Sequence, residues 1–167
     1  MFLSSSVQEV RAEEDEGSRA RIEAGTLRAV VADNSAYGKF HRQGYSGVSE
    51  LYHGSSKRNL FVPAYAGLNY EHIFSGDSAS YGWNIFEPRR APIRLRRLGE
   101  KKVELFQERT ANWPLQGRLS YELTGEDTVE MRASFRPLAD AWKKHGYIGV
   151  FFASYIHAPE DMAIHFI

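Results

Sequence analysis

At 167 residues the chain is long enough to bury one sizeable core, and it falls within the range of a single domain. Its 21 basic and 21 acidic residues cancel, so no global field favours a nucleic acid or an anionic membrane surface. The absence of cysteine removes disulfides, thiolate metal sites and a cysteine nucleophile together, and it leaves the redox compartment unmarked.

Met1 to Val10 has neither the apolar run nor the basic flank of a secretory signal, and no later segment is apolar over the length of a bilayer, so the chain reads as soluble. From Ser4 to Glu23 it is polar, with an acidic run Glu13, Glu14, Asp15 and Glu16. Residues 1–24 are therefore expected to form a solvated arm or a short frayed helix, and residues 25–167 one β-sandwich domain. The first strand is expected from Thr26, where Leu27, Ala29 and Val31 alternate with Thr26, Arg28 and Val30 before an Asp33-Asn34-Ser35 turn. Gly44 to Tyr52 and Asn59 to Val62, separated by the loop His53-Gly54-Ser55-Ser56-Lys57, read as a strand pair.

Val103 and Leu105 carry the same two-residue period into the clearest unit of the chain, Arg118 to Arg136. There Leu119, Tyr121 and Leu123 alternate with polar residues, Thr124-Gly125-Glu126-Asp127 turns, and Val129, Met131, Ala133 and Phe135 alternate back. This pattern predicts a hairpin with one buried face. Ile148 to Ile156 is apolar almost throughout, as in a strand covered on both faces. Helical periodicity is confined to Leu138 to Lys144, and an aromatic content of 13% suits a β-rich core. The fold class that follows is all-β, an antiparallel sandwich with little helix. Met162, Ile164 and Phe166 alternate up to the last residues, which leads to two expectations: a domain incomplete at its C-terminus, as in a piece of a longer protein, or a final strand that pairs with something not present here.

Chemistry concentrates in Pro63 to His72, where Tyr65, Asn69, Tyr70, Glu71 and His72 offer ring faces, an amide and an acid beside an imidazole. Sugars present apolar C–H faces and fixed hydroxyls, and their sites combine such groups. The plainer reading makes Tyr65 and Tyr70 core residues and Glu71 and His72 polar loop residues. His157 follows an apolar strand and precedes the Ala158-Pro159-Glu160-Asp161 turn, where a side chain reaches a cleft and an imidazole can act as general acid or base; the plainer reading is a hydrogen-bonded surface histidine. Arg89, Arg90, Arg94, Arg96, Arg97, Lys101 and Lys102 form a local basic excess suited to a uronic acid or a phosphate, or to a solvated strand face; Glu87, Glu100 and Glu104 dilute it. His41, His53, His72, His145, His157 and His165 form no tight metal-binding pair. No nucleophile elbow, P-loop or dinucleotide fingerprint occurs, and no cofactor is expected.

From about Gly25 onward the order of segments resembles galactose mutarotase-like sandwiches. The strand Leu27 to Val31, the polar-aromatic segment around Asn69, and Asn112-Trp113-Pro114-Leu115 leading into Tyr121-Glu122-Leu123-Thr124 and Val129-Glu130-Met131 carry the likeness. The resemblance implies a super-sandwich whose concave face holds a sugar, with a histidine acid and a glutamate base in the epimerases. It puts Asn69 in contact with substrate and His157 on the concave strand. Two departures stand against epimerase activity for this chain alone: the Asn-Arg pair of true mutarotases is here Asn69-Tyr70, and the family's glutamate belongs to a region C-terminal to this sequence. The same architecture occurs in glycoside hydrolases and polysaccharide lyases, so it does not fix the chemistry.

Three functions follow as expectations. The first is a carbohydrate-binding or carbohydrate-active domain using Tyr65, Asn69, Tyr70, Glu71, His72 and His157. The second is a noncatalytic assembly module docking through Met162 to Phe166. The third is a metal-dependent enzyme built from the histidines.

Overall fold

The computed structural model describes residues 17–35, 45–76, 83–110, 112–140, 142, 144–157 and 160. Among the described residues nine strands form three sheets, and every pairing between these strands is antiparallel. The first sheet holds β1 (Arg19–Ala24), β2 (Leu27–Ala32) and β3 (Gly47–His53) in sequence order. The second pairs β4 (Asn69–Phe74) with β9 (Gly149–Ala153). The third is the meander β5 (Ile93–Gly99), β6 (Lys102–Gln107), β7 (Leu115–Thr124) and β8 (Thr128–Pro137). A 3-10 turn over Trp83–Phe86 runs into the short helix α1 (Glu87–Arg90).

One core joins the three sheets, because the alternating residues of each point to the same interior. It contains Ala20, Ile22 and Ala24 of β1, Leu27, Ala29 and Val31 of β2, Tyr70 of β4, and Val103, Leu105, Leu119, Tyr121 and Leu123 of β6 and β7. A smaller cluster of Ile73, Trp113 and Leu115 fills one end. The all-β, sandwich-like class expected from the alternation is what the chain adopts, and the β7–β8 hairpin turns where the sequence predicted.

Several expectations are corrected. β1 lies inside the segment read as a polar arm: Arg19, Arg21 and Glu23 made it look solvated, yet the alternate positions Ala20, Ile22 and Ala24 are buried. A small-residue row beneath charged neighbours has low mean hydropathy and still packs. Gly25, at φ 54° in the left-handed region, makes the tight β1–β2 turn; a Cβ there would lie 2.6 Å from the Cα of Glu126. Thr26 donates from its backbone N–H (3.1 Å) and its hydroxyl (2.8 Å) to the Glu126 carbonyl, tying this turn to the β7–β8 turn.

Asn59 to Val62 does not form a ladder with β3, whose partner is β2. Phe61 instead bridges to Ile156, and the Asn59 side chain binds the backbone of Leu51, Phe61 and Ser49. The stretch Ile148 to Ile156 is not covered on both faces, since Phe151 and Ile156 are half exposed. Leu138 to Lys144 contains no helix among its described residues; the α-helical turn among the described residues is α1, with Pro88 in its first turn. The acidic run 13–16 and the strand expected at Met162 to Phe166 lie outside the described residues.

Candidate functional site

The second sheet departs from regular pairing at the point where polar residues gather. Tyr70 faces Phe152 and His72 faces Phe151, so Glu71 is the extra residue of a β-bulge. A bulge re-aims side chains that a flat strand would send to alternate faces. Glu71 is thereby buried, 5% exposed, while Tyr70 keeps to the core against Phe135 and Phe152.

The Glu71 carboxylate is met from three directions. Arg89 of α1 approaches Oε1 at 3.4 Å, and the Tyr155 hydroxyl donates to Oε1 and Oε2 at 3.0 and 3.1 Å. His72 Nε2 is turned inward 3.8 Å from Oε1, beyond hydrogen-bond length, and has no hydrogen-bond partner. The Arg89 guanidinium lies 3.8 Å above the ring of Tyr45, a cation–π contact away from water. Tyr45, Tyr65 and Tyr155 close a ring cluster with centroids 4.8 to 5.4 Å apart.

The local fold fixes Arg89. The Asn34 amide bonds the carbonyls of Arg89 and Ala91 and the N–H of Ile93, and Gln107 donates to the carbonyls of Pro88 and Ala91. Two buried side chains, from β6 and from the turn after β2, thus clamp the segment that carries the guanidinium. On the outer side, His72 is stacked on Phe151 at 5.2 Å and 22° and meets the edge of Phe86 at 4.3 Å. Phe151 is 47% exposed, so an aromatic surface opens to solvent immediately above the buried charges.

Electrostatics follow from burial. Burial lowers the His72 pKa below its ordinary value, with Glu71 opposing the fall and Arg89 adding to it. Burial, then its bonds to Tyr45 and Glu71, push the Tyr155 hydroxyl well above its ordinary value, so it remains a donor near neutrality. The site therefore presents a neutral imidazole, a fixed donor and a carboxylate balanced by a guanidinium.

The residues singled out from the sequence have separate fates. Glu71, His72 and Tyr65 lie in this cluster. Asn69 is fully buried; its Oδ1 accepts from the Ser46 N–H at 3.3 Å, while Asn69 Nδ2 and Ser46 Oγ have no hydrogen-bond partner. It does not reach solvent. Leu68, at φ 52°, turns the chain into Asn69 and is held in that costly conformation by Tyr121, which donates to its carbonyl at 2.8 Å, and by Ser154 Oγ on its N–H side. His157 sits elsewhere, with Nδ1 3.3 Å from the Asn59 carbonyl, and no described contact joins it to Glu71 or His72.

Tyr45 and Tyr155 were not singled out from the sequence, and Arg89 was read only as one of a basic cluster. The basic cluster hid Arg89, although Glu87-Pro88 signals a helical start that takes Arg89 off the strand face. Arg94, Arg96 and Arg97 do lie on β5, and all three are exposed. An open groove lined by Leu138, Trp142, Tyr147 and Ile148 lies apart, and none of the Glu71 cluster lines it. Among the described residues no three histidine, aspartate or glutamate side chains come together as a metal site. No helix among them is long and apolar enough to cross a membrane.

Comparison with known protein families, with characterised proteins and with solved structures finds no match to this chain.

Proposed function

We propose that the chain binds a neutral carbohydrate on the surface formed by Phe151 and His72, with the Glu71–Arg89 pair and the Tyr155 hydroxyl as the polar groups beneath it. The observation that carries this reading is the stacked His72–Phe151 pair, open to solvent on one side and within 3.8 Å of a buried carboxylate on the other. A sugar's apolar face gains from an aromatic surface, and its hydroxyls need fixed donors and acceptors at the edge of that surface. Because Arg89 already balances Glu71, the site offers a charged ligand no unpaired counter-ion, which favours neutral sugars over uronic acids. The resemblance of the segments around Asn69 and Tyr121 to mutarotase-like sandwiches points in the same direction.

The reading is of binding, without catalysis. His157 has the Asn59 backbone carbonyl as its described side-chain partner, and no described contact joins it to the Glu71 cluster. Thermal-shift and calorimetric titrations against panels of neutral and acidic sugars test the proposal. The expected result is a rise in Tm with a neutral sugar that Phe151→Ala abolishes while the variant stays folded. Absence of binding to any neutral sugar by folded wild-type protein, or binding undiminished in Phe151→Ala, overturns it.

A further inference from the structure

The third sheet ends on β8, whose other partner is β7 alone among the described residues. Edge strands are ordinarily kept short, bent by a bulge or carry inward-pointing charge, because a straight edge invites another strand. β5, the opposite edge, follows that rule: its pairing shifts between Arg97 and Gly99. β8 does not. It runs for ten residues in unbroken register with β7, and its inner row of Val129, Met131, Ala133 and Phe135 is incompletely covered, Ala133 being exposed and the others half-buried.

We propose that β8 pairs antiparallel with β8 of a second copy of this chain about a two-fold axis at Ala133, joining two four-stranded sheets into one. The strand's own sequence supplies the argument. An isologous contact requires a surface complementary to itself. With Ala133 opposite itself, Glu130 lies opposite Arg136 of the second copy, twice by symmetry, Arg132 lies opposite Ser134, and Met131 lies opposite Phe135 on the apolar face. Shifting the axis to Arg132 sets that arginine against itself, and shifting it to Ser134 sets Arg132 against Arg136 in both places. Moving it to Met131 brings Phe135 against Asp127 in the turn. Ala133 is thus the centre that matches charge on the outer face and apolar groups on the inner one. Glu130 and Arg132 are already hydrogen-bonded to each other within one chain, and their side chains are 37% and 72% exposed, so both are available at the edge.

Sedimentation equilibrium over a concentration series tests the pairing, with folding of each variant checked by circular dichroism. The expected result is a monomer–dimer equilibrium whose Kd rises on the order of tenfold in Glu130→Arg and in Arg136→Glu, since opposed charges become like charges. The Glu130→Arg, Arg136→Glu double variant is expected to recover wild-type association. The chain lacks cysteine, so Ala133→Cys introduces a sole thiol, and mild oxidation is expected to link two copies through it because facing residues of antiparallel strands lie within disulfide reach. Thr128→Cys, whose counterpart lies at the far end of the paired strands, is expected to cross-link poorly. A wild-type chain that stays monomeric throughout overturns the proposal. So does a dimer indifferent to both charge reversals, or one in which the two thiols cross-link equally.

Discussion

Two carboxylates of this protein are held out of water by arginines, and they are held differently. Glu104 sits on β6 between its neighbours in a regular sheet. Arg118 of β7 donates to both of its oxygens at 2.7 Å, and Arg96 of β5 adds a third bond at 3.2 Å. Glu71 sits on a bulge, with longer contacts from a helix and a tyrosine. Each carboxylate accepts three bonds, and by bond length Glu104 is the better satisfied. The arginines reverse the energetics, however: Arg96 and Arg118 are 66% and 49% exposed, while Arg89 is 12% exposed. A guanidinium that can turn to water survives loss of its partner, and one shut inside does not. Glu104 is a fastening across three strands, whereas Glu71 keeps a buried charge neutral beside an open aromatic surface.

This contrast is broken or sharpened by four measurements. Glu71→Ala is expected to cost about 3 kcal/mol of unfolding free energy, because Arg89 is left buried without its carboxylate. A loss no larger than that of Glu104→Ala in the same denaturant titration would contradict the ranking. Glu104→Ala is expected to cost about 1 kcal/mol, with the difference from wild type shrinking at high salt as exposed pairs are screened. A salt-independent loss would mean that its arginines cannot rehydrate.

The third measurement is a stability–pH profile. His72 has a folded pKa below its ordinary 6.5, so between the two values the unfolded chain binds more protons. Stability from this residue is complete above 6.5 and declines as pH falls through the window beneath it. His72→Gln is expected to flatten that part of the profile, and an unchanged slope would remove the imidazole from the account. The smallest effect is expected for Phe151→Ala, within about 0.5 kcal/mol of wild type, since a half-exposed ring contributes little packing. A large loss there would make the aromatic surface part of the core and remove it as a ligand platform.

The sequence was most informative where side chains alternate without interruption. Leu119 to Phe135 announced its strands, its turn and its buried face, because periodicity of two is a direct consequence of the pleat. β1 escaped because Ala20 and Ala24 are buried through smallness, which hydropathy barely registers. Glu71 and His72 were visible as an acid beside an imidazole, but a bulge is a tertiary event: nothing in Asn69-Tyr70-Glu71-His72 says that Glu71 lacks a partner on β9. Arg89 and Tyr155 reach Glu71 from 18 and 84 residues away along the chain, and Tyr45 packs on both of them, at separations that pattern reading within one segment does not span. His157 was attractive as a strand-end histidine, and the carbonyl of Asn59 gives it an ordinary structural partner.

The bond from Thr26 to the Glu126 carbonyl spans 100 residues, and it sets a schedule for synthesis. During translation at about 5–20 residues per second, the first hairpin waits roughly 5–20 seconds for the turn it docks against. Through that interval Ile22, Leu27 and Val31 have no opposite sheet to bury them. The charged residues alternating along β1, which disguised it as an arm, are then what keeps the nascent hairpin apart from other unfinished chains.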